Sequence, residues 1–187
     1  TDGEIMVRGP HVFMGYFKDP AATEETLYDG CLHSGDLGQF DEDGFLTIVG
    51  RKKEIIITSG GKNIAPKNIE AALKNVPMVA NAVVIGEQRR YITALLTLDP
   101  AAANKFASEN GIAGQELHNH PKLREALQKG IDEVVNVHFA RVEQVRDFRV
   151  LPRDFTVEDG ELTPTLKIKR RIINQNFENE IESMYQD

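Results

Sequence analysis

The stretch DGCLHSGDLGQFDEDGFLTIVGRKK, residues 29–53, decides the reading of this chain. Asp36 falls in a Ser34-Gly35-Asp36 turn. Asp41-Glu42-Asp43-Gly44 joins the strands of a β-hairpin, because Asp and Gly favour tight turns. Phe45–Val49 is its second strand, and Gly50-Arg51-Lys52-Lys53 closes it with cations. One short strand thus links a carboxylate to a basic cluster. Such a pair can hold the ribose and the phosphate side of one nucleotide, since an ionised carboxylate offers two oxygens to two adjacent hydroxyls. The plainer readings are a turn aspartate and a solvated basic patch.

Working outward, Glu4–Arg8 reads as a strand. Asp19-Pro20 starts a helix, with Asp19 as cap and Pro20 in the first turn. The first ~50 residues are then strands and turns, too few for a robust core. Beyond Lys53 the pattern changes. Glu54–Thr58 reads as a strand, Ser59–Asn63 as a glycine turn, and Pro66–Val76 as a helix. Val79–Ile85 and Tyr91–Leu98 are β-rich runs around a polar turn at 86–90. Pro100–Asn110 is a helix ended by Gly111. Pro121 opens a long amphipathic helix with Leu123, Leu127, Ile131, Val134 and Val135 on one stripe. Phe148–Leu151 is a strand and Arg170–Met184 a final helix. The fold class is therefore α+β, with a boundary near Arg51–Lys53.

Bulk properties narrow the function. The 187 residues are 41% hydrophobic and 27% charged, which suits a globular chain rather than a disordered one. Lys and Arg minus Asp and Glu is 22 − 29 = −7, so general nucleic-acid binding is excluded and any anion site is local. The single cysteine, Cys31, rules out an internal disulfide and suits a reducing cytoplasm. No apolar run reaches the ~18 residues of a membrane span, and no signal segment is evident. Thr1 stands first and an apolar strand starts at Ile5, so the chain reads as part of something longer.

Two further segments carry chemistry. Ser59-Gly60-Gly61-Lys62-Asn63 looks like a phosphate loop but lacks the Walker A spacing; a strand-to-helix turn with positive φ at glycine is the plain reading. In Pro164-Thr-Leu-Lys167-Ile-Lys169-Arg170-Arg171 four cations read as a basic helix start. Cations there oppose the helix dipole, which points to a role beyond surface charge. His118 and His120 lack a matching ligand set, so they read as surface histidines and no metal site is expected. Cys31 has only His33 near it, and a catalytic dyad is not expected.

The 29–53 stretch, with KKEIIITSGGKNIAPKNIE (52–70), GELTPTLKIKRR (160–171) and GEIMVRGPHVFMGYF (3–17), resembles the AMP-forming adenylate-forming ligase superfamily. Within it, the Gly-Gly-Lys-Asn-Ile-Ala-Pro and Thr-Pro-Thr-Leu-Lys forms resemble the long-chain fatty-acid–CoA ligases. The resemblance runs from about residue 3 to 175 and covers the C-terminal part of such an enzyme. It implies that residues 1–50 are the β-rich end of a large N-terminal domain, that 51–53 are a hinge, and that 54–187 are a small mobile domain of mixed α/β type. It further implies that Asp36 and Arg51 bind the nucleotide and that Lys53 is the hinge residue. It also implies that Lys167 is the catalytic lysine and that Gly60, Gly61 and Lys62 meet coenzyme A. Implied substrates are a fatty acid, ATP with Mg²⁺, and coenzyme A. The implied location is cytoplasmic, with at most peripheral membrane contact.

Three departures stand out: Leu166 where most relatives have Gly, Cys31 where Trp is usual, and Asn68 where Glu is common, with Glu70 keeping the second acidic position. No segment here would build an adenine pocket or acyl tunnel, so the chain alone is expected to be inactive. Alternative readings are a fatty acyl-AMP ligase, a luciferase-like relative, or a non-catalytic regulatory module.

Overall fold

A computed structural model describes residues 3–112 and 114–186, in two compact units that divide between Ile55 and Ile56.

The first unit is built on β3 (Cys31–Phe40). Strand β1 (Glu4–Val7) runs antiparallel along one edge. On the other edge β2 (Leu27–Tyr28) pairs with the start of β3, and β4 (Leu46–Arg51) pairs with its end. Helix α1 (Pro20–Thr26) precedes β2, and Asp19 caps it by accepting a hydrogen bond from the Ala22 amide at 2.9 Å. Among the described residues of this unit only Gly50 is buried. Met14, Phe17, Phe40, Phe45 and Ile48 lie largely exposed. The expected lack of a robust core is thus observed.

The second unit has a three-stranded sheet: β7 (Val79–Ile85), β8 (Ile92–Leu98) and β9 (Val145–Val150). Strands β7 and β8 are antiparallel and β8 and β9 parallel. Helices cover both faces, which is why β7 and β8 read as near-continuous apolar runs. Ala82, Val84, Ala94 and Leu96 face α2 (Pro66–Leu73), α3 (Pro100–Asn110) and α4 (Pro121–Gly130). Val83, Ile85 and Leu95 face α5 (Arg170–Asn176) and α6 (Glu178–Ser183). The strand period of two sorts these residues between the faces.

Several boundaries differ from the sequence reading. Glu54–Thr58 is not a continuous strand: Lys52–Glu54 is a 3₁₀ turn, followed by the short β5 (Ile56–Ile57), which pairs with β6 (Asn63–Ile64). Helix α2 stops at Leu73. The Pro121 helix widens into a π turn over Ile131–Val135 just after Gly130. A Cβ at Gly130 would stand 2.6 Å from Val76 Cγ1, so only glycine allows this close approach. Residues 170–184 form two helices because Phe177 leaves helical geometry (φ −117°, ψ 31°). Its ring enters the second core, edge-to-face against Phe155 at 6.2 Å.

Candidate functional site

Asp36 does not lie in a turn. The β1–β3 register shifts between Glu4 and Met6, and Gly35 takes φ 71°, so Ser34–Asp36 form a bulge within β3. A bulge re-aims one side chain of a strand. The bulge is well pinned. Ser34 Oγ donates to the Ile5 carbonyl at 2.7 Å and accepts from the Asp36 amide at 3.1 Å. The Gly35 amide donates to Glu4 Oε1 at 3.0 Å, and Lys52 Nζ reaches Glu4 Oε2 at 3.0 Å. Lys52 holds the Glu4 carboxyl below its ordinary 4.5, with burial opposing and the Gly35 amide assisting.

Strand pairing places Arg51 opposite Asp36, and Arg51 Nε donates to Asp36 Oδ1 at 3.0 Å. The predicted carboxylate and cation therefore meet. Beside them opens a cavity of about 490 Å³ lined by Tyr16, Tyr28, His33, Ser34, Arg51 and Lys52. Tyr28 stacks on His33 with centroids 3.5 Å apart. Lys53 lies in the 3₁₀ turn and reaches Glu25 at 2.6 Å; both side chains are exposed, so the pair contributes little.

The glycine loop hangs on Thr58. Its amide donates to the Lys62 carbonyl at 3.0 Å, its carbonyl accepts from Gly61, and its Oγ1 accepts from the Lys62 amide. Gly61 carries the expected positive φ, 71°, whereas Gly60 does not. Gly60, Gly61 and Lys62 are exposed. The loop rests on the β7–β8 turn: Ser59 N donates to the Arg89 carbonyl and Gln88 N to the Ile57 carbonyl.

Lys167 is not at a helix start, since α5 begins at Arg170. It lies on a small hairpin closed by a Leu162–Ile168 bridge and by Lys169 N donating to the Glu161 carbonyl at 2.7 Å. Thr163 holds Lys167 at both ends: its amide donates to the Lys167 carbonyl at 2.8 Å, and its Oγ1 accepts from the Lys167 amide at 3.0 Å. Leu166 takes φ 59°, a left-handed conformation that suits glycine. The Gly-to-Leu departure thus sits where a Cβ costs about 1–2 kcal/mol. The dipole argument applies only to Arg170 and Arg171, and Arg170 is neutralised: it reaches Glu70 Oε1 at 2.7 Å and the Val84 carbonyl at 2.8 Å.

The two loops are anchored on different segments of the second unit. The glycine loop sits at the Ile85–Ile92 end. The Lys167 hairpin is tied to residues 153–156, where Asp154 bonds Asn81 and Thr97, and is followed by Arg170, which reaches the Val84 carbonyl.

Sequence reasoning missed the groups that hold these loops. Glu161 is wholly buried. It accepts from both Arg153 Nη atoms at 2.7 and 2.8 Å, from Asn176 Nδ2 at 3.0 Å and from the Thr156 amide at 3.1 Å. Its place between Gly160 and Leu162 in a chemistry-bearing motif was the available signal. Burial pushes its carboxyl up, but these bonds more than offset it, so it lies below its ordinary 4.5. Asp147 is likewise lowered: burial opposes, and bonds from Arg124, the Phe148 amide and Arg149 prevail.

A carboxylate whose folded pKa is below its unfolded one adds stability above the unfolded value and loses it as pH falls through the folded one. Urea unfolding should therefore show constant stability from about pH 7 to 5 and a decline below about pH 4.5. A flat profile to about pH 3 would contradict these assignments.

His118 and His120 belong to neither loop. His120 caps α4, its Nδ1 accepting from the Lys122 amide at 3.2 Å. Among the described residues no group of three or more His, Cys, Asp or Glu could hold a metal, and no helix is long and apolar enough to cross a membrane.

The model of the AMP-binding enzyme C-terminal domain family matches residues 53–187. The chain belongs to this family. It is 44% identical over 188 residues to the long-chain-fatty-acid–CoA ligase FadD15 of Mycobacterium tuberculosis, covering 98% of this chain and 31% of that protein. It resembles the adenylation domain of a carboxylate reductase from Mycobacterium chelonae, with a TM-score of 0.79 at 26% identity over 99% of this chain and 28% of that one. It also resembles the A-PCP didomain of a carboxylic acid reductase from Segniliparus rugosus in complex with AMP, with a TM-score of 0.78 at 27% identity over 98% of this chain and 24% of that one. The chain spans about a third of the length of the curated relatives it matches. Lys53, Gly60 and Lys167 fall within the residues matched to the AMP-binding C-terminal family; Asp36 and Arg51 precede them.

Proposed function

We propose that this chain is the C-terminal part of an ATP-dependent long-chain-fatty-acid–CoA ligase. The observation that carries the reading is the pair of exposed loops in one unit, one bearing Lys167 and one bearing Gly60, each held by its own backbone bonds and anchored on a different segment. A single domain with two such loops can serve two half-reactions in turn.

In the first, the fatty carboxylate attacks the α-phosphate of MgATP. A carboxylate–phosphate bond forms, the bond to pyrophosphate breaks, and acyl-adenylate results. The Lys167 ammonium offsets repulsion between the anions and stabilises the charge of the transition state. Asp36 receives the ribose hydroxyls, while Arg51 faces the phosphate side. In the second, the small domain turns about Lys53 and the Gly60 loop replaces Lys167. The thiol of coenzyme A, having lost its proton, attacks the acyl carbon and AMP leaves. A loop without side chains at Gly60 and Gly61 lets the slim pantetheine arm pass close to backbone, with Lys62 beside it.

The exposed apolar side chains of the first unit support its packing against a larger N-terminal domain, which would supply the adenine and acyl pockets. We place the activity in the cytoplasm, where a lone Cys31 stays reduced, with long-chain substrates drawing the enzyme to membranes only peripherally.

A second reading is favoured by the similarity to adenylation domains: the same first step, with the acyl group passed to another acceptor. A chase experiment separates the two. The full-length protein is given palmitate and ATP, then coenzyme A. The ligase reading predicts acyl-adenylate first and stoichiometric acyl-CoA with AMP after the chase, and no product from the 187-residue chain alone. Acyl-adenylate that coenzyme A does not consume would favour the second reading. Absence of any palmitate-dependent ATP cleavage would overturn both.

A further inference from the structure

We propose that Glu161 and Arg153 are positioning residues for the Lys167 hairpin, setting the direction in which its ammonium is presented. The proposal rests on the ligase reading above. The hairpin from Glu161 to Lys169 is internally complete: the Leu162–Ile168 bridge, the Thr163 bonds to Lys167 and the Lys169–Glu161 rung fix its shape. What remains to be fixed is its orientation on the domain. The Glu161 carboxylate, at the base of the hairpin, does this. It binds two separate parts of the fold: the segment after β9, through the Arg153 fork and the Thr156 amide, and α5, through Asn176. Leu162 N donates to the Thr156 carbonyl at 2.9 Å and adds a backbone tie to the segment after β9.

Arg153 is fixed in turn. Its Nη1 donates to the Asp154 carbonyl at 2.9 Å, its guanidinium lies 5.3 Å from the centre of the Phe177 ring, and Asp159 stands 3.3 Å away. Two parallel N–H···O bonds define the plane and angle of the carboxylate, which a single-point contact would not. A rotation at Glu161 is carried along the rigid hairpin to Lys167. Neither residue touches substrate in this scheme; each acts through Lys167.

The test measures both half-reactions in the full-length protein for Glu161→Gln and Arg153→Lys. Glu161→Gln keeps the shape but removes one acceptor, and Arg153→Lys keeps the charge but removes the fork. The expected result is a fall in kcat for acyl-adenylate formation of roughly 10- to 100-fold, as for a catalytic group displaced by about 1 Å. KM for ATP and palmitate and the rate of thioester formation from supplied acyl-adenylate should each stay within about twofold, since uniform binding is untouched. Hydrogen exchange gives a readout independent of activity. The Thr156 and Leu162 amides, which tie the hairpin to the domain, should lose protection about tenfold in both variants, while the Lys167 and Lys169 amides within the hairpin and those of β7 and β8 keep theirs. Equal loss of both half-reactions means a merely structural role and overturns the proposal. So does an unchanged first half-reaction where Lys167→Ala abolishes it. If Lys167→Ala itself leaves adenylation intact, the ligase reading fails, and this proposal falls with it.

Discussion

Replacing Lys167 with Ala in the full-length protein should lower acyl-adenylate formation by about 10²- to 10³-fold, the usual effect of removing one preorganised electrostatic stabiliser. The argument starts from charge. A fatty carboxylate and the phosphates of ATP are both anions, and their approach needs a cation that is already in place. Lys167 is exposed on a hairpin whose backbone is held at its own amide and carbonyl, so little reorganisation is needed to present its ammonium. Thioester formation from supplied acyl-adenylate should remain within a few-fold, because no new phosphate bond is made in that step. The measurement is single-turnover product analysis of each half-reaction. A loss shared equally by both would mean that Lys167 supports the fold or general binding.

The second large effect concerns stability. Arg153→Ala should lower the unfolding free energy of the chain by about 3–5 kcal/mol, the range for breaking a buried ion pair from one side. The asymmetry of the pair explains the size. Glu161 has no exposed side-chain surface, whereas Arg153 is partly exposed. Loss of the guanidinium leaves a carboxylate in the core with only Thr156 N and Asn176 as donors. It must then protonate or draw water inward. Urea denaturation at neutral pH measures the effect. A change below about 1 kcal/mol would show that the pair behaves as a surface ion pair.

Much of the fold was legible in the sequence, because the strands and helices of the second unit bury clear apolar faces. The near-continuous apolar runs Val79–Ile85 and Ile92–Leu98 are those of strands covered on both sides, and Pro66, Pro100 and Pro121 each open a helix. The illegible parts were set by tertiary contacts. Nothing in the local pattern shows that Phe177 turns into the core and splits the last helix, or that Gly130 lies against Val76 where the π turn begins. The candidate site divides in the same way. Asp36, Arg51, Gly60 and Lys167 carry motif signals. The bulge that aims Asp36 depends on pairing with Glu4, a residue 32 positions earlier. The burial of Glu161 depends on partners at 153, 156 and 176. A charged residue in a polar, turn-rich stretch reads as surface until the chain is folded around it.

The most direct test of the central claim, that two loops serve two half-reactions, is the Gly60→Leu variant measured beside Lys167→Ala. Gly60 has ordinary backbone geometry, and a Cβ there would meet only Thr58 Oγ1 at 3.9 Å, so the fold should tolerate the change. The account predicts the opposite partition from Lys167→Ala: adenylate formation unchanged, and thioester formation slowed at least tenfold, which corresponds to about 1.4 kcal/mol of transition-state free energy. If Gly60→Leu leaves thioester formation intact, or if both variants impair the same step, the two-loop account is wrong.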